Sequence, residues 1–260
     1  MNKLASPETI QQILNCYSSL GDKKYRIGSS FEFYHCPFWK NSAMSPVLIT
    51  NHNKMFSELK KLESDYKKPI AKSPYSFKRA YVNYLTIGKK PLNKKIQKQF
   101  VDQGWQYFAD EESLNLWKSI IPADIPKNVQ IKSGRYFDPE IYPHFLMTMK
   151  ENFSVSDEFM KYLDKMLKKI EANVITVLLI KNEKVIGAGL VAVKNEGAIL
   201  FCGSIHKKYR NKKYWKVLAS ARQSLSAMKG AKVWITTTRV PQLLWRGDET
   251  YRISNFSKKA

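Results

Sequence analysis

Apolar positions along Tyr214, Leu218, Ala221, Leu225 and Met228 recur at alternating steps of four and three. That spacing draws one stripe down a helix from about Lys212 to Lys229. Gly230 closes the helix, because glycine tolerates the left-handed conformation of a helix end. Before the helix lies a strand-like run from Ala198 to Ile205, and after it a second from Lys232 to Thr238. Upstream, Val174 to Ile180 and Val185 to Val193 are further apolar runs, joined by the polar turns Lys181–Lys184 and Lys194–Gly197. Short polar turns between apolar runs predict a three-stranded antiparallel meander.

The stretch before the meander predicts one strand and two helices. Val129 to Lys132 reads as a short strand, and Asp138-Pro139-Glu140 opens a helix through Ile141, Phe145 and Met149. Ser154 to Glu158 caps another, whose Phe159, Leu163, Met166 and Ile170 have core spacing. The predicted order from residue 129 is β, α, α, β, β, β, basic turn, α, β. The class is α+β, a mixed, mostly antiparallel sheet with flanking helices.

The first half is patterned less regularly. Ser6-Pro7-Glu8 predicts an opening helix that ends near Leu20. Phe31 to Trp39, Val47 to Thr50 and Ala80 to Ile87 read as extended, while Lys54 to Tyr66, Leu92 to Val101 and Leu114 to Ile120 read as helices. Two prolines in Pro122-Ala-Asp-Ile-Pro126 interrupt regular structure, and the expected domains are 1–124 and 125–260.

Composition adds a partner class. The 260 residues carry a formal charge of +22, which implies an acidic or phosphorylated partner or a self-repelling surface. No Asp or Glu occurs between Glu196 and Asp248, and Lys207, Lys208, Arg210, Lys212, Lys213 and Lys216 crowd the entrance of the predicted helix. A helix entrance already has unpaired amides and a partial positive charge, so the natural ligand there is a phosphate-bearing anion. Cys16, Cys36 and Cys202 are scattered, and neither they nor the four histidines have metal-ligand spacing; no metal is expected. With no signal-like apolar start and no membrane-length apolar run, the expectation is a cytoplasmic protein without a transmembrane segment.

The element order, with Val185-Ile-Gly-Ala-Gly-Leu190 and Ile205 to Leu218, resembles the GNAT superfamily of N-acetyltransferases over about residues 128–238. The first half resembles a degenerate second GNAT-like unit. The run from Arg210 looks like the family's pyrophosphate loop, R/Q-x-x-G-x-G/A, with Lys213 and Trp215 at its two small-residue positions. The resemblance implies acetyl-CoA or another acyl-CoA as co-substrate, lying where the fourth strand bulges and splays from the fifth. It implies that Cys202, Gly203, Ser204 and Ile205 face the thioester arm. The amides of Arg210, Asn211, Lys212, Lys213, Tyr214 and Trp215 then meet the diphosphate. Gln242 and Trp245 stand where the family offers an Asn and then a Tyr near the cofactor. An indole cannot protonate a leaving thiolate, so Tyr251 is the nearest hydroxyl for a general acid.

Two functions follow from these residues. One is an acyl-CoA-dependent N-acyltransferase, in the first instance an acetyltransferase, acting on an amine acceptor that is itself acidic or phosphate-rich. The other is a catalytically inactive GNAT-fold module that binds nucleic acid or another polyanion through its basic surface. An acyltransferase whose acceptor is nucleic acid would use both features.

Overall fold

A computed structural model describes residues 7–20, 24–27, 31–35, 43–44, 46–47, 79–87, 91–153, 155–170, 173–210, 213–238 and 246–259. The chain forms two compact units, Met1–Leu116 with Thr237–Ala260, and Trp117–Thr236.

The first unit holds helix α1 (Pro7–Ser18) and strands β1 (Lys24–Ile27), β2 (Phe31–His35), β3 (Ala43–Met44), β4 (Pro46–Val47) and β5 (Arg79–Ile87). Helix α2 (Lys94–Asp102) and strand β6 (Gln106–Trp117) follow. Strands β1, β2 and β3 make a small antiparallel sheet. Strand β12 (Glu249–Lys259) lies antiparallel between β5 and β6. Residues 249–259 are therefore held by hydrogen bonds to strands β5 and β6. Phe256 carries this pairing into the core, stacking on Phe100 with ring centroids 4.1 Å apart.

The helix expected over Leu114 to Ile120 is a correction: β6 runs to Trp117. Leu114 and Leu116 are fully buried at the two-residue spacing of a strand, paired with Tyr251 and Glu249, and this long-range pairing overrides local preference. Asn115 between them accepts the N–H groups of Arg246 and Gly247 on Oδ1, at 2.9 and 3.3 Å. The helix expected over Lys54 to Tyr66, and most of the extended run Val47 to Thr50, lie outside the described residues.

The second unit follows the predicted order. It contains β7 (Val129–Arg135), α3 (Tyr142–Phe153), α4 (Asp157–Leu167), β8 (Val174–Lys181), β9 (Lys184–Lys194), β10 (Gly197–Ile205), α5 (Tyr214–Ala227) and β11 (Val233–Thr238). Its strands lie in the order β7-β8-β9-β10-β11, antiparallel throughout except for β10 and β11, which are parallel. The β8–β9 turn places Asn182 and Glu183 at φ of 48° and 62°, the left-handed pair that a two-residue hairpin of native twist requires. Both faces of β8 are buried. Ile175, Val177 and Leu179 join Val217, Leu218 and Ala221 of α5 in one core cluster. The alternate residues Val174, Thr176 and Leu178 are buried as well, on the face that α3 covers.

Helix α5 departs from its expected stripe in one respect. Met228 is 84% exposed, whereas Arg222 is buried at 7%. The buried arc runs through residues 217–219, 221–223 and 226, wider than a strict stripe of fours and threes.

Candidate functional site

The site grows from a fault in the pairing of β10. On one side, β10 and β11 form registered pairs only at Gly197↔Val233, Ala198↔Trp234 and Ile199↔Ile235. Beyond that point β10 continues to Ile205 and β11 to Thr238 with no further registered pair between them among the described residues. On the other side, the pairing with β9 runs to Phe201↔Leu190 and resumes only at Ser204↔Ala188, so an extra residue is accommodated between them. Cys202 takes up the excess at φ 49°, a left-handed conformation that non-glycine residues seldom adopt. A bulge of this kind twists a strand away from its neighbour and re-aims its amides and side chains.

Glycines on β9 let the bulge sit close. A Cβ at Gly187 would stand 2.5 Å from Ile205 Cδ1 and 3.0 Å from the Ser204 carbonyl. The Val-Ile-Gly-Ala-Gly-Leu run thus has a packing reason at each glycine, since Gly189 faces the Arg222 guanidinium in the same way.

After Ile205 the chain makes one 3-10 turn, Lys207–Tyr209, which His206 caps by accepting the Lys208 N–H on Nδ1 at 3.4 Å. Arg210 then reaches back: its Nε donates to the Ile205 carbonyl at 3.0 Å and its Nη2 to Asn152 Oδ1 at 3.4 Å. The expected role of Arg210 was through its amide; its side chain fastens the loop to the end of β10. Asn211 and Lys212 lie outside the described residues. Lys213, at the first of the two small-residue positions, sits at φ 61° and ψ 3° and is the N-cap of α5. The backbone keeps there the left-handed shape that glycine adopts freely, with a lysine in its place.

Tyr214 is buried; its hydroxyl accepts a hydrogen bond from Lys181 Nζ at 2.9 Å and its ring lies under the same ammonium. Trp215 is half-buried, packed at the margin of the core cluster with Lys216 over its ring. Lys207, Lys208, Arg210, Lys213 and Lys216 are exposed around this helix entrance. A first helical turn points amides outward that have no partner within the helix, so amides and cations here converge on one place.

The four residues expected along the thioester arm differ in setting: Ser204 and Ile205 are buried, Gly203 is exposed and Cys202 is half-buried. Burial pushes the Cys202 thiol up to about 12, against the opposing pull of the Arg222 guanidinium. Burial thus disfavours its thiolate form at neutral pH. A second polar group lies under α3 and α4, where both oxygens of Asp164 accept phenols, Tyr136 at 2.8 Å and Tyr142 at 2.5 Å. Burial and that carboxylate raise both phenols well above the ordinary range. Sequence reading missed this group because its members are 22 and 28 residues apart with no local motif.

Tyr251, the expected general acid, is buried in the first unit and donates its hydroxyl proton to Glu249. Burial and the carboxylate raise its pKa, which makes it a weaker acid than a free phenol. That arrangement is the one expected of a packed strand residue. Gln242 and Trp245 lie outside the described residues. Among the described residues no helix is long and apolar enough to cross a membrane, and no three His, Cys, Asp or Glu side chains converge in a metal-binding group.

No protein-family model matches the sequence, and no curated protein matches it. Solved structures do match its fold. A GCN5-related N-acetyltransferase from Kribbella flavida superposes with a TM-score of 0.62 at 10% identity, covering 97% of this chain and 95% of that one. A GCN5-related N-acetyltransferase from Sphaerobacter thermophilus gives 0.55 at 11% identity, over 98% and 94%. A tandem GNAT protein from the clavulanic acid biosynthesis pathway gives 0.53 at 9% identity, over 86% and 77%. The chain has the GNAT fold: a mixed, mostly antiparallel sheet with flanking helices.

Proposed function

We propose that this chain is an acyl-CoA-dependent N-acyltransferase, with acetyl-CoA as the simplest donor and an amine as acceptor. The observation that carries the reading is the end of β10–β11 pairing at Ile199↔Ile235, beside the bulge at Cys202. The left-handed Lys213 supports it, because this one residue has the backbone conformation that glycine adopts freely at the small-residue position. In this reading the thioester arm lies along Cys202, Gly203, Ser204 and Ile205. The diphosphate lies against the amides of Arg210, Lys213, Tyr214 and Trp215, with Lys207, Lys208, Lys213 and Lys216 adding charge-assisted contacts.

The chemistry asks little of side chains. A neutral amine attacks the thioester carbon, a C–N bond forms, and the C–S bond breaks with its electron pair left on sulfur. The nitrogen loses one proton to solvent, and the thiolate leaves as such or takes one up. Amides of the bulged strand polarise the carbonyl, and the protein contributes chiefly orientation. An acceptor that is acidic or phosphate-rich suits the surface charge of the chain. Thiolate protonation is assigned to solvent rather than to Tyr251, whose proton is held by Glu249.

The test is calorimetry of CoA and acetyl-CoA at low salt, where charge contacts are least screened. Both are expected to bind the wild type, and Arg210→Ala to bind acetyl-CoA about 5-fold more weakly, the loss of ~1 kcal/mol that freeing the loop from Ile205 implies. Lys229→Ala, beyond the far end of α5, is expected to bind as the wild type does. No heat of binding and no thermal shift with either ligand would refute the enzyme reading.

A further inference from the structure

Arg222 is the one cation of α5 that the fold takes out of water, and it has been taken in without an acid. Its Nε donates to the Leu218 carbonyl at 3.2 Å, within the helix. Its Nη1 donates to the carbonyls of Leu190 at 3.2 Å and Phe201 at 3.3 Å. Those two residues are the last registered β9–β10 pair before the bulge. The guanidinium thus sits at the point where β10 leaves its register, holding the two carbonyls on the near side of the break.

The glycines around it are shaped by it. A Cβ at Gly203 would stand 3.0 Å from both Nη1 and Nη2, and one at Gly189 3.0 Å from Nη1. Neither atom is the tip of a freely moving chain, since three hydrogen bonds fix the guanidinium. The bulge is folded over this group as if over a template.

Among the described residues no carboxylate pairs with it, and the sequence has no Asp or Glu from 197 to 247. Burial lowers its pKa to about 10, so it still carries its charge at neutral pH. The titratable group facing it is the Cys202 thiol on β10, with Tyr136 beyond Cys202. A buried, unpaired charge opposes folding, and an apolar side chain of the same length would fill the space at lower cost. Three backbone carbonyls satisfy its N–H groups but do not neutralise it, so a net positive charge is left beside the bulge.

Resting on the acyl-CoA reading, we infer that Arg222 is a positioning residue of the acyl-transfer site: it sets the Phe201–Ser204 bulge and lays a positive field behind the strand where CoA sulfur becomes an anion. Preorganised charge that costs no rearrangement at the moment of reaction is the most effective kind of electrostatic help. The sulfur is the atom that gains the electron pair when the C–S bond breaks.

The experiment follows the ultraviolet absorbance of the CoA thiolate against pH, for CoA free in solution and saturating the full-length protein. The same titration of the protein without CoA supplies the background from its own thiols and phenols. With the wild type, bound CoA is expected to ionise at a lower pH than free CoA, the thiolate-to-thiol ratio at a fixed pH rising about tenfold. Arg222→Met should lose that gain, Arg222→Lys should keep part of it, and Lys229→Ala, the same change of net charge at an exposed site, should keep all of it. Circular dichroism checks that each variant is folded, and the wild-type titration and Arg222→Lys decide the matter should Arg222→Met not fold. A bound thiol that titrates as free CoA does, or that is unmoved by Arg222→Met, overturns the role of Arg222 while leaving the acyl-CoA reading intact. Failure of CoA to bind the wild type overturns both.

Discussion

Replacing Lys213 by glycine should make this protein more stable. The residue stands at φ 61° as the N-cap of α5, with no capping hydrogen bond from its side chain. An L-residue in this region is disfavoured by ~1–2 kcal/mol, because its Cβ crowds the following carbonyl. Glycine removes that crowding and adds ~0.4–1 kcal/mol of unfolded-chain freedom. Lys213→Gly should therefore exceed Lys213→Ala by about 0.5–1 kcal/mol, since alanine keeps the crowding. Both variants remove the same cation from a helix entrance, so the comparison between them cancels the charge effect. Urea unfolding read by tryptophan fluorescence is suitable, as Trp117 and Trp234 are buried in the core that α5 closes. At a slope of ~2 kcal/mol per molar, the glycine variant should have a midpoint ~0.3 M above the alanine variant, with the slope unchanged. Equal midpoints, or a lower one for glycine, would refute the claim that the loop stores strain at this residue.

Two more outcomes follow from the same unit. Trp234 Nε1 donates to Ser226 Oγ at 2.8 Å in the core, so Ser226→Ala leaves a buried N–H without its acceptor and should cost ~1–3 kcal/mol. Adding Trp234→Phe should recover part of that loss in a double-mutant cycle, and strict additivity would count against the bond. The Cys202 thiol, pushed up to about 12, should be alkylated slowly at neutral to mildly alkaline pH. Its thiolate is ~1,000-fold scarcer than that of an ordinary thiol and only ~30-fold more nucleophilic, so mass-spectrometric labelling should run at least ~30-fold slower than in urea-unfolded protein. Equal rates in the folded and unfolded protein would show that the thiol is not shut in.

What could be read beforehand was whatever local chemistry decides. The turns at Asn182 and Asn195, the alternation and runs of β8 to β10, and the spacing of α5 are set within a few residues, and the observed elements follow them. What could not be read depends on partners far along the chain. Leu114 to Leu116 is strand because β12, more than a hundred residues later, pairs with it. No local motif sets Arg222 apart from the other cations of a basic stretch. Its place on the buried arc of α5, one turn after Leu218 and next to Ala221, was the available signal. The basic helix entrance was legible as an anion site; the left-handed turn at Lys213 was not, because lysine has no preference for that shape.

The pairing of β12 also bears on synthesis. Strands β5 and β6 must wait for a strand made more than a hundred residues later, and their gap is closed only once Lys259 has left the ribosome. The segment from Trp117 to Thr236 is one continuous compact unit, all of it made before β12. A nascent chain can therefore finish its middle while its beginning is still open, and a stop codon introduced before Glu249 would strand the first unit rather than the one that carries the bulge.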